Sequence, residues 1–374
     1  MAGDCILCGK CLEVCPLLAA TDREELSPRA KADLVRLLDG DEARLRSEDV
    51  ARLTSLCLGC HRCKSACSQG VDVPGMVAML RGAHPDFKAW LWKTWLTHAK
   101  QLWSVSSTAA ELIPESFQPE KFGPFLKMLA GMKGGAGLTP CLSANAFPDT
   151  YQGQKMLLFA GCTATYVQQR WLHSARYLLD GLGVEILPAD FQCCGSGLKG
   201  AGCAQEAASM EAHNLDIWRK AGRLPVVTFC SSCRDGLLNF EFPDAQEAAE
   251  WVESVIPLSA VVQHIPFMTF ANSPNKMGYH RPCHAKDVDD DLALLQRALG
   301  ERLHPSSGKE CCGFGGLMRL SAPELSGQVN SRCWQALEGS DVVLSSCSAC
   351  VTQLAGTAPE GVKVGHWLEI IKAE

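Results

Sequence analysis

With 374 residues and a formal net charge of −6, the chain can build two or three domains with cores of their own and offers no basic footprint for nucleic acid. Its 47% hydrophobic and 20% charged residues are those of an ordinary globular protein, which excludes a low-complexity or disordered class. The 21 cysteines are the exception: with no basic and apolar leader pattern ahead of Cys5, a cytoplasmic location is expected, a disulfide framework is not, and clustered thiols point to metal.

Two cysteine runs open the chain. Cys5, Cys8, Cys11 and Cys15 are followed by Pro16, and the same spacing returns at Cys57, Cys60, Cys63 and Cys67, with Ser68 in place of the proline. In a bacterial ferredoxin run three thiolates wrap one cubane and the fourth reaches the neighbouring one. Cys5, Cys8, Cys11 and Cys67 are therefore expected to hold one [4Fe–4S] cluster, and Cys57, Cys60, Cys63 and Cys15 the other. A pair of zinc knuckles, needing only a C-x-x-C…C-x-x-C layout, would leave the complete ferredoxin spacing unexplained. Between the runs Ser27-Pro28 starts a helix with Leu34, Leu37 or Leu38, and Leu45 at helical spacing, and Ser47-Glu48-Asp49 starts another. Residues 1–80 are read as an α-helical ferredoxin module.

Residues 81–153 are read as a tryptophan-rich helix followed by an irregular linker. Phe87, Leu91, Trp95 and Leu102 are expected on one helix face, with Trp92 and Trp103 close by. That face serves either packing between modules or docking on a membrane protein or bilayer surface. From Ser104 the periodicity fades, and Gly131, Gly134, Gly135, Gly137, Pro140 and Pro148 mark the linker. Cys141 there lies outside any ligand spacing.

The remainder is a duplication, with units at 154–272 and 273–374. In each, a strand leads to a lone cysteine (Cys162, Cys283). A helix and strand then lead to a Cys-Cys-Gly turn (Cys193-Cys194-Gly195, Cys311-Cys312-Gly313), and a helix and strand to a Cys-x-x-Cys (Cys230 and Cys233, Cys347 and Cys350). Two adjacent thiolates can face one metal site only if the backbone turns sharply, which glycine permits. Strand–helix alternation predicts two α/β domains with parallel sheets, cysteines at the carboxyl edges, and two pseudo-twofold related sites on a shared cleft. The exits also look alike, Val262-Gln-His264 against Val364-Gly-His366. The uncharged stretch from Ser254 to Asn275 holds three prolines, so buried helix, turn and loop are expected rather than a membrane span. Cys203 and Cys333 fall outside the spacing and are read as core residues.

An α-helical ferredoxin module followed by two such Cys-Cys-Gly (CCG) domains resembles the heterodisulfide reductase family, in its D-type arrangement, equivalent to C and B polypeptides fused. The same architecture is similar to the iron–sulfur subunits of glycolate, lactate and anaerobic glycerol-3-phosphate dehydrogenases. The resemblance implies that Cys162, Cys193, Cys194, Cys230 and Cys233 hold one non-cubane [4Fe–4S] cluster, and that Cys283, Cys311, Cys312, Cys347 and Cys350 hold a second.

Two sites flanking one cleft suit thiol–disulfide chemistry, because a disulfide takes two electrons and each cluster passes one. His284, beside Cys283, is the candidate proton donor to a departing thiolate; the competing role is to fix its loop by hydrogen bonds. The expected activity is an oxidoreductase of heterodisulfide reductase type acting on a small or protein disulfide. The alternative is an electron-transfer subunit linking a flavoprotein dehydrogenase to quinone, and a regulatory scaffold comes third. No nicotinamide or flavin fingerprint occurs, so a flavoprotein, a hydrogenase or a membrane haem or quinone subunit is expected as partner. Peripheral association with the inner face of the membrane would follow through that partner.

Overall fold

The computed structural model describes residues 5–39, 46–112, 123–134, 137–285 and 289–373. At the N-terminus the helices Pro28–Asp39, Ser47–Ser55 and Val73–Ala83 pack around the two short cysteine-bearing helices Lys10–Glu13 and Arg62–Ser65. Ser27 Oγ accepts from Ala30 N at 3.2 Å, which supplies the helix start expected there. Ala32, Val35, Val71, Met76 and Val77 form a small core against Cys63; Leu45 lies outside the described residues.

The next segment differs from expectation. Among the described residues it forms three helices, Phe87–Thr97, Ala99–Leu112 and Gly123–Gly131, where one helix running to Trp103 was expected and linker from Ser104. The buried face is Ala89, Trp92, Trp95 and Trp103, whereas Phe87 and Trp90 are 65% and 55% exposed and Leu102 is exposed as well. Packing decides this choice. Trp95 stacks on Trp103 with centroids 4.5 Å apart, and Trp92 Nε1 donates to Gly197 O at 3.1 Å while its ring leans on Phe314. The first helix is thus wedged between the two C-terminal domains.

Among the described residues ten strands follow: β1 (Leu142–Ala144), β2 (Lys155–Phe159), β3 (Glu185–Leu187), β4 (Val226–Thr228), β5 (Val255–Pro257), β6 (Phe267–Thr269), β7 (Met277–Tyr279), β8 (Leu303–Pro305), β9 (Val342–Ser345) and β10 (Lys363–His366). They make two parallel sheets, ordered β3-β2-β4-β5 and β8-β7-β9-β10, and an antiparallel pair β1-β6. The two sheets have the same order, so the duplication extends to topology. One apolar core runs through both, joining Leu158, Trp171, Leu178 and Val227 to Met277, Leu344 and Trp367.

Two expectations are corrected here. The stretch from Ser254 to Asn275 contributes β5 and β6 as well as the helix Leu258–Val261. Its isoleucine, valine and phenylalanine suit strands as well as helices, and short apolar runs do not separate the two. The apparent match of exits is out of register: His366 pairs with Ser345 in the second sheet, and the equivalent partner of Thr228 is Pro257. His264 is exposed and His366 fully buried. No helix among the described residues is long and apolar enough to cross a membrane.

Candidate metal centres

Each ferredoxin-type run bends through two left-handed residues, Leu7 and Gly9 in the first and Gly59 and His61 in the second, and then enters its short helix. The turns bring thiols of the two runs together. Cys11 lies among Cys5, Cys8 and Cys67; Cys63 lies against Cys60, Cys57 and Cys15. Cys8 is exposed beside Ile6, at 62% exposure, and Leu7, so the first set faces outward. The second set is turned inward. Burial, with the charge of Cys311 close by, pushes the Cys60 thiol up to about 12, and Cys15 packs in the same apolar cluster as Cys311.

A side chain that sequence reasoning missed fastens this junction. The Arg62 guanidinium donates to the carbonyls of Gly308 and Glu310, each at 3.0 Å, and also to that of Lys309. A planar fork with five donors suits three successive carbonyls. Those carbonyls lead directly into Cys311-Cys312.

In the C-terminal domains the cysteines stand where parallel strands end. β2 runs into the turn before Cys162, β4 delivers Cys230 and the helix Ser231–Leu238, and β9 delivers Cys347 and the helix Ser348–Ala355. Gly195 and Gly313 have φ of 75° and 79°, the left-handed backbone that turns each vicinal pair inward. A Cβ on Gly161 would lie 2.7 Å from Cys233 Sγ, and one on Gly236 2.9 Å from Cys194 Sγ. The glycines make room for sulfur.

No disulfide joins any of the 21 cysteines. Cys162 and Cys193 Sγ are 3.8 Å apart. Cys194 lies close enough to Cys193 and Cys233 for each to shift its ionisation. In the second set Cys311 lies equally close to Cys283 and Cys312, and Cys312 to Cys350. Hydrogen bonds from Cys233 and Cys347 pull Cys230 well below the usual thiol range, and those from Cys283 and Cys312 do the same for Cys311. Five converging thiols, one easily ionised, form a soft donor set that fits an iron–sulfur centre. Further donors surround the sulfurs: Ser196 Oγ lies 3.3 Å from Cys194 Sγ, Ser232 and Ser348 Oγ lie 3.3 Å from Cys230 Sγ, and Gly313 N donates to Cys311 Sγ at 3.4 Å. Ser231 instead bonds Ser346 Oγ at 2.6 Å.

The two sets touch. Cys230 and Cys347 lie close enough to shift each other's ionisation, and Ser348 N donates to Cys230 Sγ at 3.4 Å. They are not equivalent, however. A cleft of about 1530 Å³ is lined by all five cysteines of the second set and by Cys57 and Cys60, but by Cys194 alone of the first. The shared cleft is therefore mainly the second site's. Cys203 is half-buried on its wall and so is not a core residue, whereas Cys333 is fully buried and Cys141 is buried apart from any set.

His284 Nδ1 lies 3.0 Å from Asp235 Oδ2, and both line the cleft. Burial alone would lower the imidazole's pKa; the hydrogen bond and charge of Asp235 outweigh it and leave it raised. Asp235 was not singled out from the sequence, although it has no acidic counterpart after Cys350, where Val351-Thr352 follow. Burial pushes the imidazoles of His280 and His366 down to about 4.

Comparison with known proteins agrees with this geometry. Residues 1–71 match the 4Fe-4S dicluster domain family. Residues 156–237 and 277–355 each match the Cysteine-rich domain family. The glycolate oxidase iron-sulfur subunit of Escherichia coli (strain K12) is 22% identical, the alignment covering 98% of this chain and 93% of that protein. The D polypeptide of the dihydromethanophenazine:CoB--CoM heterodisulfide reductase of Methanosarcina acetivorans is 24% identical over 94% of this chain and 87% of its own length. The probable glycolate oxidase iron-sulfur subunit of Bacillus subtilis (strain 168) is 24% identical, with 96% and 90% covered. Motif, geometry and homology converge: the chain is an iron–sulfur protein that joins a 4Fe-4S dicluster domain to two copies of the cysteine-rich domain.

Proposed function

We propose that this chain is an iron–sulfur oxidoreductase of heterodisulfide reductase type, which passes electrons from its N-terminal dicluster module to the duplicated cysteine sites for thiol–disulfide chemistry. The observation that carries this reading is the direct meeting of two complete quintets at Cys230 and Cys347, one of them open to a large cleft. Cys5, Cys8, Cys11 and Cys67 would hold one cubane and Cys57, Cys60, Cys63 and Cys15 the other. The two quintets would hold one or two non-cubane clusters. Bound there, such clusters supply one-electron transfer, and two electrons with two protons convert one disulfide into two thiols.

The protein's own part is positioning. Arg62 clamps the inward-facing cysteine run to the loop before Cys311. His284, steadied by Asp235, hydrogen-bonds the sulfur of a disulfide lying in the cleft. A partner protein supplies electrons at the exposed Cys8 edge, where Ile6 and Leu7 offer an apolar contact.

A second reading is favoured by the near-complete alignment with a glycolate oxidase iron-sulfur subunit. In it the chain relays electrons from a flavoprotein hydroxyacid or glycerol-3-phosphate dehydrogenase towards quinone and has no substrate of its own.

The deciding experiment is anaerobic purification with iron analysis, then EPR after oxidation with and without an added small thiol. Four loaded four-iron sites would give about sixteen irons per chain. A paramagnetic signal that depends on thiol is the expected result. Full iron without any thiol effect would overturn the reductase reading in favour of the relay, and iron limited to the N-terminal module would overturn both.

A further inference from the structure

Because the C-terminal half is a duplication, each departure of one copy from the other beside the thiols is informative. Three residues before the leading cysteine stands Phe159 in the first copy and His280 in the second. Strand register agrees. Phe159 pairs with Thr228, two residues before Cys230; Tyr279 pairs with Leu344, which places His280 opposite Ser345, two residues before Cys347. On the helix behind, Asn214-Leu-Asp-Ile217-Trp218 corresponds to Asn330-Ser-Arg-Cys333-Trp334. The asparagine of each donates to a carbonyl of its vicinal cysteines, at 3.1 and 3.0 Å. An apolar pair in the first copy, Phe159 with Ile217, is thus imidazole and thiol in the second.

Both are fully buried, and Cys333 Sγ lies 3.3 Å from His280 Nδ1. A thiol sealed in apolar surroundings keeps its proton, so it donates S–H to Nδ1, and the neutral ring carries its own proton on Nε2. That Nε2 is buried without a hydrogen-bond partner among the described residues. Native proteins seldom leave such a donor unmatched. One ring nitrogen of His280 and the Sγ atoms of Cys312 and Cys350 lie within 4.8 Å of one another.

We propose that His280 Nε2–H donates a hydrogen bond to the iron–sulfur centre held by the second quintet, and that Cys333 fixes the tautomer that permits it. The inference rests on the reading of that quintet as a cluster site. A hydrogen bond to cluster sulfur stabilises the extra negative charge of the reduced state and so raises the potential. The first copy, with Phe159, has no such donor. Electrons arriving past Cys60 would therefore collect at the second centre, the one that faces the cleft.

The test is an anaerobic redox titration followed by EPR, comparing the wild type with His280→Phe, the residue of the first copy, with iron counted in each. The expected result is unchanged iron and a roughly tenfold shift of one C-terminal reduction equilibrium towards the oxidised form, which is a potential lower by about 59 mV for one electron. Wild-type protein with ¹⁵N-labelled histidine, read by pulsed EPR, should show a weak nitrogen coupling that His280→Phe removes. Unchanged potentials with iron retained would overturn the proposal, as would a strong coupling marking His280 as a direct ligand. Loss of iron from the second site in both His280→Phe and His280→Gln would also overturn it, by making the residue structural. Absence of C-terminal iron in the wild type would instead sink the underlying cluster reading.

Discussion

His284 owes its position to a residue of the other domain: Asp235 Oδ2 is 3.0 Å from its Nδ1, across the junction where the two quintets meet. Neither partner has a counterpart in the opposite copy, where Thr163 follows Cys162 and Thr352 follows Cys350 by two. His284→Ala removes a donor from the cleft wall without touching a thiol. Single-turnover reduction of a small disulfide by the pre-reduced protein should slow by roughly 10²-fold, the usual cost of one preorganised donor, with iron content unaltered. An unchanged rate would leave His284 only its loop-fixing role. At this scale the cysteines were legible because ligand spacing is local and repeated. Arg62 and Asp235 were not, because what they bind lies far along the chain: Arg62 reaches a carbonyl 247 residues away. His280 and Cys333 could have been found by setting the two copies side by side, since they replace apolar residues at matched positions.

Among the elements, strands ending in cysteine were legible from short apolar runs followed by motifs, and the tryptophan helix from its composition. Which face that helix buries was not, because aromatic residues lie on most of its sides and only contact with Gly197 and Phe314 decides between them. The closing 3-10 turn, Trp367–Ile370, shows the same dependence on tertiary partners. Its Glu369 is buried, accepts from Trp171 Nε1 at 2.8 Å and from His366 N at 2.9 Å, and lies 3.2 Å from Arg170 Nη2 of the first domain. Burial raises its carboxyl to about 7, against the pull of Arg170. A carboxyl raised on folding binds its proton more tightly in the native state, so its contribution is complete below the ordinary pKa of 4.5 and is lost as pH rises through about 7. Glu369→Gln keeps both acceptor contacts and cannot ionise. Its melting temperature should therefore match the wild type near pH 5 and exceed it near pH 8, by a few °C for a chain of this size. Parallel melting curves across that range would show that Glu369 does not titrate with folding.

The proposed electron route requires the N-terminal module to be held against both C-terminal domains, and backbone proximity sets how closely it can sit. Arg81 crosses the first junction, donating to Gly200 O at 2.6 Å and to the carbonyls of Thr54, Ser55 and Cys57 at 2.9–3.2 Å. Beside it the helix Val73–Ala83 meets the loop after Cys193-Cys194 glycine to glycine. A Cβ on Gly82 would lie 2.6 Å from Gly202 O, with backbone on both sides and no flexible side chain to yield. Gly82→Ala must therefore push the module away from the first cysteine-rich domain, at roughly 1–3 kcal/mol for the overpacking. The thiols are untouched, so iron content should hold while reduction of the C-terminal centres through the N-terminal ones slows. Gly200→Ala is the matched control, since nothing lies within 4 Å of a Cβ there. If stopped-flow reduction of Gly82→Ala cannot be distinguished from that of Gly200→Ala, close seating of the module does not govern electron delivery, and the route past Arg62 into the loop before Cys311 must carry it alone.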